Sequence, residues 1–133
     1  MRQVPENTLN SSFSTQSLII GNGKIAFHLA AYFNFLGVTY NSWSRKTNNQ
    51  DLSTYIQSLA SIPSYIFLAV SDSAIDILAH QIQIGLGDKF NNVKLMHFSG
   101  AHCSKMAVGY HPLFTFGPKP LTLAEYKSIP FIT

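Results

Sequence analysis

The residues Gly21-Asn22-Gly23-Lys24-Ile25-Ala26 have the spacing of a phosphate-binding turn. They fit G-x-G-x-x-G/A, with Ala26 in the third small position. The first glycine permits a tight turn. The second lets the backbone approach a pyrophosphate, and the small third residue lets a helix pack on the preceding strand. Free N–H groups and the helix dipole then favour an anion. The pattern alone also fits an ordinary strand–turn–helix with two turn glycines. The context favours a dinucleotide: Ser17-Leu18-Ile19-Ile20 reads as a short apolar strand, and Lys24 to Leu36 as an amphipathic helix with Ile25, Leu29, Tyr32, Phe33 and Leu36 at helical spacing. Gly21, Asn22, Gly23, Lys24 and Ile25 are therefore expected to contact the phosphates.

The end of the second strand indicates which dinucleotide. Sites for NAD place an acid about 20 residues on, where it meets the ribose hydroxyls. The corresponding stretch, Asn41 to Lys46, contains none, and no Asp or Glu occurs from Asn7 to Gln50. It ends Ser44-Arg45-Lys46. Arg45 offers a planar fork for a 2′-phosphate, Ser44 a hydroxyl and Lys46 a point charge. The expected cofactor is NADP(H). A solvated basic loop is the plainer alternative.

A second set of residues lies further on. Strand three should end at Val70-Ser71-Asp72 and strand four at His97-Phe98-Ser99-Gly100, both facing the cofactor crevice. Val70, Ser71 and Asp72 are assigned to the cofactor, although Asp72 also fits a helix N-cap. A third segment reads His111-Pro112-Leu113-Phe114-Thr115-Phe116. A carbonyl reductase must position a hydride donor, polarise the carbonyl and deliver a proton. His97, Ser99 and His111 are the catalytic candidates. Imidazole titrates near neutral pH and Ser99 could hydrogen-bond a carboxylate or carbonyl, while Gly100 leaves room for nicotinamide or substrate. Each has a plainer reading: His97 as a core imidazole, Ser99 as a turn cap, His111 as a loop residue before Pro112. His97, His102, Cys103 and His111 match no common zinc spacing, and His102 is expected to point away from the strand of His97. No metal is expected. His28 and His80 read as helix-surface or packing residues.

The glycine loop, Ser44-Arg45, Val70-Ser71-Asp72, His97-Phe98-Ser99-Gly100 and His111-Pro112-Leu113-Phe114-Thr115-Phe116 together resemble one family. It is the group of Rossmann-like oxidoreductases whose second domain is helical and of formerly unknown function. The group is related to ketopantoate reductase, pyrroline-5-carboxylate reductase and 6-phosphogluconate dehydrogenase. The resemblance runs from about Leu18 to the end of the chain. It implies NADP-dependent reduction of a small 2-oxo acid, with ketopantoate and pantothenate synthesis as the sharpest substrate reading. It also implies a homodimer in the full-length form. The chain departs from the family at Ser71, where proline is common, and in lacking the helical domain, which in related enzymes supplies a catalytic acid and much of the dimer interface.

The elements that must position these residues alternate strand and helix, which argues for an α/β fold. The expected architecture is a Rossmann-like three-layer sandwich with a mainly parallel sheet and an NAD(P) site. Residues 1–16 read as a flexible polar leader and 17–133 as the dinucleotide-binding domain. Further strands are expected at Val38–Trp43, Tyr65–Val70, Val93–Phe98, Val108–Tyr110 and Ile129–Thr133. Helices are expected from Asp51 to about Ser61 and from Ser71 to about Ile84. A short helical piece should follow Ser99-Gly100-Ala101, and Thr122 to Glu125 has capping-box spacing. Ending at its last strand, the chain reads as a piece of a longer protein.

Composition narrows the function. The chain has 133 residues, 46% hydrophobic and 11% charged, enough to bury one core. Low charge and a mean hydropathy of +0.10 suggest that part of the surface is normally covered. The net charge of +3 comes from scattered Lys and Arg, not the basic stripe of a nucleic-acid binder. No apolar run reaches the ~18 residues of a membrane span. Cys103 is the single cysteine, so a reducing cytoplasm is the natural location. Besides the reductase, the residues fit a non-catalytic NAD(P)-sensing module, an imine reductase like pyrroline-5-carboxylate reductase, or a degenerate association domain.

Overall fold

The computed structural model of the chain describes residues 16–133. The proposed leader therefore lies outside the described residues except for Gln16. Its carbonyl accepts from Ser64 N–H at 3.1 Å, and its side-chain oxygen from the Ser61 hydroxyl at 2.7 Å.

Strand β1 (Ser17–Ile20) is buried along its whole length, as its apolar run requires. It pairs in parallel with β2 (Tyr40–Trp43) on one side and β3 (Tyr65–Leu68) on the other. Strands β4 (Lys94–His97) and β5 (Val108–Gly109) continue the sheet, also in parallel. The order β2-β1-β3-β4-β5 means that the chain reverses its direction of winding between β1 and β3. Ligand crevices of open α/β sheets lie at such a point, outside the carboxyl ends of the strands. The architecture is α/β with a parallel five-stranded sheet, compatible with a Rossmann-like fold.

Alternation along β1 divides the core. Leu18 and Ile20 point to one face, against Leu52 and Ile56 of α2 (Leu52–Gln57) and Ile75, Leu78, Ala79 and Ile82 of α3 (Asp72–Leu86). Ile19 points to the other, against Ala26 and Phe33 of α1 (Lys24–Leu36). Helices thus cover both faces. Gly37 ends α1 in the left-handed conformation, with φ of 70°.

Several expected boundaries shift. Strand β2 begins at Tyr40 rather than Val38. Strands β3 and β4 are shorter at their carboxyl ends, where the chain leaves the ladder to form the crevice. Helix α2 stops at Gln57 rather than near Ser61, and α3 runs past Gly85 to Leu86 before a 3₁₀ turn over Gly87–Asn92. Gly85 stays helical because it packs on α2: a Cβ there would lie 3.0 Å from the Ser53 carbonyl oxygen. No helix follows Ser99-Gly100-Ala101. The Ser99 hydroxyl oxygen accepts from the N–H groups of Ala101 and His102, and the Ser104 oxygen from those of Met106 and Ala107. Two serine-centred turns thus take donors that a helix would have used.

The last expected strand forms, but outside the main sheet. Strand β7 (Phe131–Ile132) pairs antiparallel with β6 (His111–Pro112). Between them Thr122 and Glu125 close the capping box of α4 (Leu123–Lys127). Tyr126 of α4 ties this unit to α1. Its O–H donates to His28 Nδ1 at 2.8 Å and its oxygen accepts from Leu121 N–H at 3.0 Å. His28 Nε2–H in turn donates to the Gly117 carbonyl at 2.7 Å. His28 is fully buried, and both ring nitrogens have partners. It is a packing residue, while Leu36, assigned to the apolar face, is exposed.

Replacing Tyr126 by phenylalanine removes the only hydroxyl in this chain of bonds and leaves two buried polar groups short of a partner. Y126F should lose about 1–3 kcal/mol of stability, read as a lower denaturation midpoint.

Candidate functional site

Two cavities open at the carboxyl edge of the sheet. The first, of about 410 Å³, lies at the reversal of winding between β1 and β3. Gly21, Asn22, Gly23, Lys24 and Ile25 form its floor, Ser44, Arg45 and Lys46 one rim, and Val70 and Ser71 the other. Ten of the eleven residues assigned to the cofactor from sequence thus share one cleft.

The two glycines of its floor do different work. Gly21 has φ of 126° and donates its N–H to the Trp43 carbonyl at 2.8 Å. A Cβ on it would fall 2.1 Å from the Ala69 carbonyl oxygen, inside the backbone of the chain leaving β3. Gly21 is required by the fold. Gly23 has ordinary extended angles, and a Cβ on it would meet nothing within 4 Å. That atom would project into open space, so nothing in the packing of the described residues calls for glycine there.

The helix behind this turn is prepared for an anion. Gly23 caps α1 without a side-chain hydrogen bond, and the first turn of the helix has no acid. Its leading N–H groups are therefore free for a ligand, and the dipole is uncompensated by the chain's own charge. Among the described residues no carboxylate lines the cleft, whereas Lys24, Arg45 and Lys46 do.

Two of the assigned residues behave differently from expectation. Ser44 is buried, and its hydroxyl donates to Thr47 Oγ1 at 2.7 Å, which donates onward to Asn48 Oδ1 at 3.1 Å. Asn48 Oδ1 also accepts Ser44 N–H at 2.9 Å. The Ser44 proton is thus spent inside the turn, and the residue shapes the loop that presents Arg45 and Lys46, both exposed. Asp72 neither lines the cleft nor caps the helix. Ser71 holds the N-cap position, and Asp72 is the first helical residue, directed to solvent.

The second cavity, of about 500 Å³, collects His97, Ser99 and His111, the three catalytic candidates. Glycines bring the imidazoles close. A Cβ on Gly109 would lie 3.0 Å from the His97 ring, and one on Gly100 the same distance from the ring of His111. The space beside Gly100 is therefore filled by His111 rather than left for a ligand. His111 Nδ1–H donates to the Phe98 carbonyl at 3.3 Å. His97 is buried, and its Nδ1 accepts from Ser99 N–H at 3.2 Å. A protonated His97 would set two donors against each other there. Burial, and then the neighbouring His102, hold its pKa below the ordinary 6.5. His97 is thus kept neutral, with its proton on Nε2.

The sequence reading missed a further pair. His102 does not point away: its ring lies 5.8 Å from that of His97, nearly perpendicular to it. Its Nε2–H donates to Asp76 Oδ2 at 2.9 Å, while Asp76 Oδ1 accepts from the Ser104 hydroxyl at 2.8 Å. The Ser104 bond foremost, with His102, holds the Asp76 carboxyl below its usual range. Asp76 was legible only as an exposed position one turn into α3. No group of three or more ligating side chains could hold a metal among the described residues.

The two glycines should separate fold from binding. G21A should fail to fold or lose several kcal/mol, about 3 or more, from backbone clash. G23A should keep its denaturation midpoint within the ~0.5 kcal/mol of a surface change while losing nucleotide affinity in calorimetry. His97 sets a pH trend as well. Its lowered pKa means that the unfolded chain takes up the proton first, so stability should be full above about pH 6.5 and decline as pH falls below it. Thermal melts across that range should show the decline, and H97Q should flatten it. Comparisons of the chain with protein-family models, curated proteins and solved structures match nothing, so its function is read from this geometry alone.

Proposed function

We propose that the chain is the NADP(H)-binding domain of an oxidoreductase that reduces a small 2-oxo acid. The observation that carries this reading is the first cleft: a glycine with no packing reason to be glycine, beside an uncapped helix N-terminus and a cationic, carboxylate-free rim. These features suit a pyrophosphate at Gly23 and the start of α1. Arg45 and Lys46, carried by the turn that Ser44 organises, suit the 2′-phosphate. Among the described residues the lining has no carboxylate, the group that would select NAD through its ribose hydroxyls.

When bound, the cofactor supplies a hydride. The residues of this chain hold its phosphates and leave the second cavity for the substrate. That cavity is lined by His97, His102 and His111 with Ser99 and, among the described residues, by no acidic side chain, a polarity suited to a small carboxylate with a carbonyl to be polarised. Backbone and neutral imidazole donors stabilise charge that develops on a carbonyl oxygen more effectively in such a recess than in water.

Calorimetric titration of the chain with NADPH and, separately, NADH tests the assignment. NADPH should bind more tightly. Arg45→Ala should weaken NADPH by roughly 10- to 100-fold, the worth of a charge-assisted contact, and leave NADH little changed. Equal losses for both cofactors would remove the 2′-phosphate assignment.

A further inference from the structure

The pair Asp76–His102 takes no part in the cofactor cleft, yet His102 lines the second cavity. Its geometry is more constrained than a chance surface contact requires. Both carboxylate oxygens of Asp76 are engaged, one by His102 and one by Ser104. The backbone of His102 is fixed as well, its N–H donating to the Ser99 hydroxyl oxygen at 3.0 Å. A ring held at Nε2 by a carboxylate keeps its proton there, and Nδ1 becomes the nitrogen that exchanges one. The carboxylate also stabilises the imidazolium that results.

His97 cannot share this work. It is buried, its Nδ1 already accepts a backbone N–H, and the His102 ring opposes a second positive charge beside it. The acids near the two rings, Asp76 and Asp72, both lie on α3, and only Asp76 bonds to either ring. Cys103, His111 and, in this chain, the terminal carboxylate of Thr133 are the other ionisable groups among the described lining residues. One proton is therefore best placed on the half-buried ring that has the carboxylate, His102.

We propose that Asp76 and His102 form the proton-donating dyad of the second cavity, His102 Nδ1 giving its proton to the oxygen of a bound carbonyl substrate. The substrate, though not the dyad's geometry, rests on the reductase reading. As hydride from NADPH forms the new C–H bond at the carbonyl carbon, the carbonyl π pair moves onto oxygen. The Nδ1–H bond breaks, an O–H bond forms, and NADP⁺ and the hydroxy acid remain. Neutral His102 recovers its proton from water, with Asp76 a carboxylate throughout. Asp76 and Ser99 are positioning residues, and His102 is the catalytic one.

The test uses the whole chain in two arms. In the first, imidazole ¹⁵N spectra are followed between about pH 5.5 and 8 with and without oxamate, a 2-oxo acid mimic. His102 should keep Nε2 protonated while Nδ1 moves with pH and responds to oxamate, and Asp76→Asn should abolish that preference. In the second, NADPH oxidation is followed with pyruvate, glyoxylate and ketopantoate. His102→Gln should retain NADPH affinity and lose about 100-fold in turnover, and D76N should move the high-pH fall of the rate to lower pH. A tautomer at His102 that is the same with and without Asp76, or unaltered turnover in H102Q, overturns the dyad. Absence of turnover in the unmodified chain, with the imidazole responses intact, supports the dyad and instead overturns the reductase reading.

Discussion

At Gly21 the chain leaving β1 runs against the chain leaving β3, so closely that a single added carbon would sit 2.1 Å from the Ala69 oxygen. Much of the carboxyl edge of the sheet follows from this approach. β1 is an interior strand, buried on both faces and paired on both sides. To leave it for a helix within three residues, the backbone must turn through a conformation open to glycine and closed to side chains. The turn aims the start of α1 into the crevice where the winding reverses. Gly23 and its neighbouring N–H groups then stand clear of packing, while Ala26 settles on the sheet beneath them. Fold and binding are thus assigned to adjacent residues with separate physical demands.

The same economy of space governs the histidine cavity. Gly100 and Gly109 admit imidazole rings at contact distance, and one hydrogen bond to each ring, at the Phe98 carbonyl and the Ser99 N–H, fixes His111 and His97 there. His97 gains burial, which holds its pKa below the ordinary imidazole value. His102 stays half-exposed and gains a carboxylate, which is the opposite balance. Two imidazoles 5.8 Å apart are thereby given different hydrogen-bond partners by their surroundings, a backbone N–H at His97 and a carboxylate at His102.

The sequence was informative wherever a local rule acts alone. The strand and turn at Leu18 to Ala26, the Thr122 capping box and the strand that begins at Tyr65 appear where pattern places them, although Tyr65 itself is exposed. The gathering of Arg45, Lys46, Val70 and Ser71 around the glycine turn was also legible, because strand ends in a parallel sheet converge. What failed depended either on local competition for a hydroxyl, at Ser44 and Ser99, or on neighbours distant in the chain, at Gly85 and His102. Gly85 looked like a helix stop and is held in the helix by α2. Ser99 looked like the start of a helix and closes a turn. Ser44 looked like a phosphate donor and spends its proton on Thr47. His102 and Asp76 are 26 positions apart, and no periodicity joins an exposed helical acid to a loop histidine.

The central claim is that the turn from Gly21 to Ile25 holds the phosphates of a dinucleotide, with the 2′-phosphate on Arg45. Backbone amide NMR of the chain during addition of NADPH tests it most directly. The account predicts the largest shifts at Gly23, Lys24 and Ile25, with Arg45 responding to NADPH and not to NADH. Shifts confined to other parts of the sheet edge, or none at all at saturating NADPH, would contradict it.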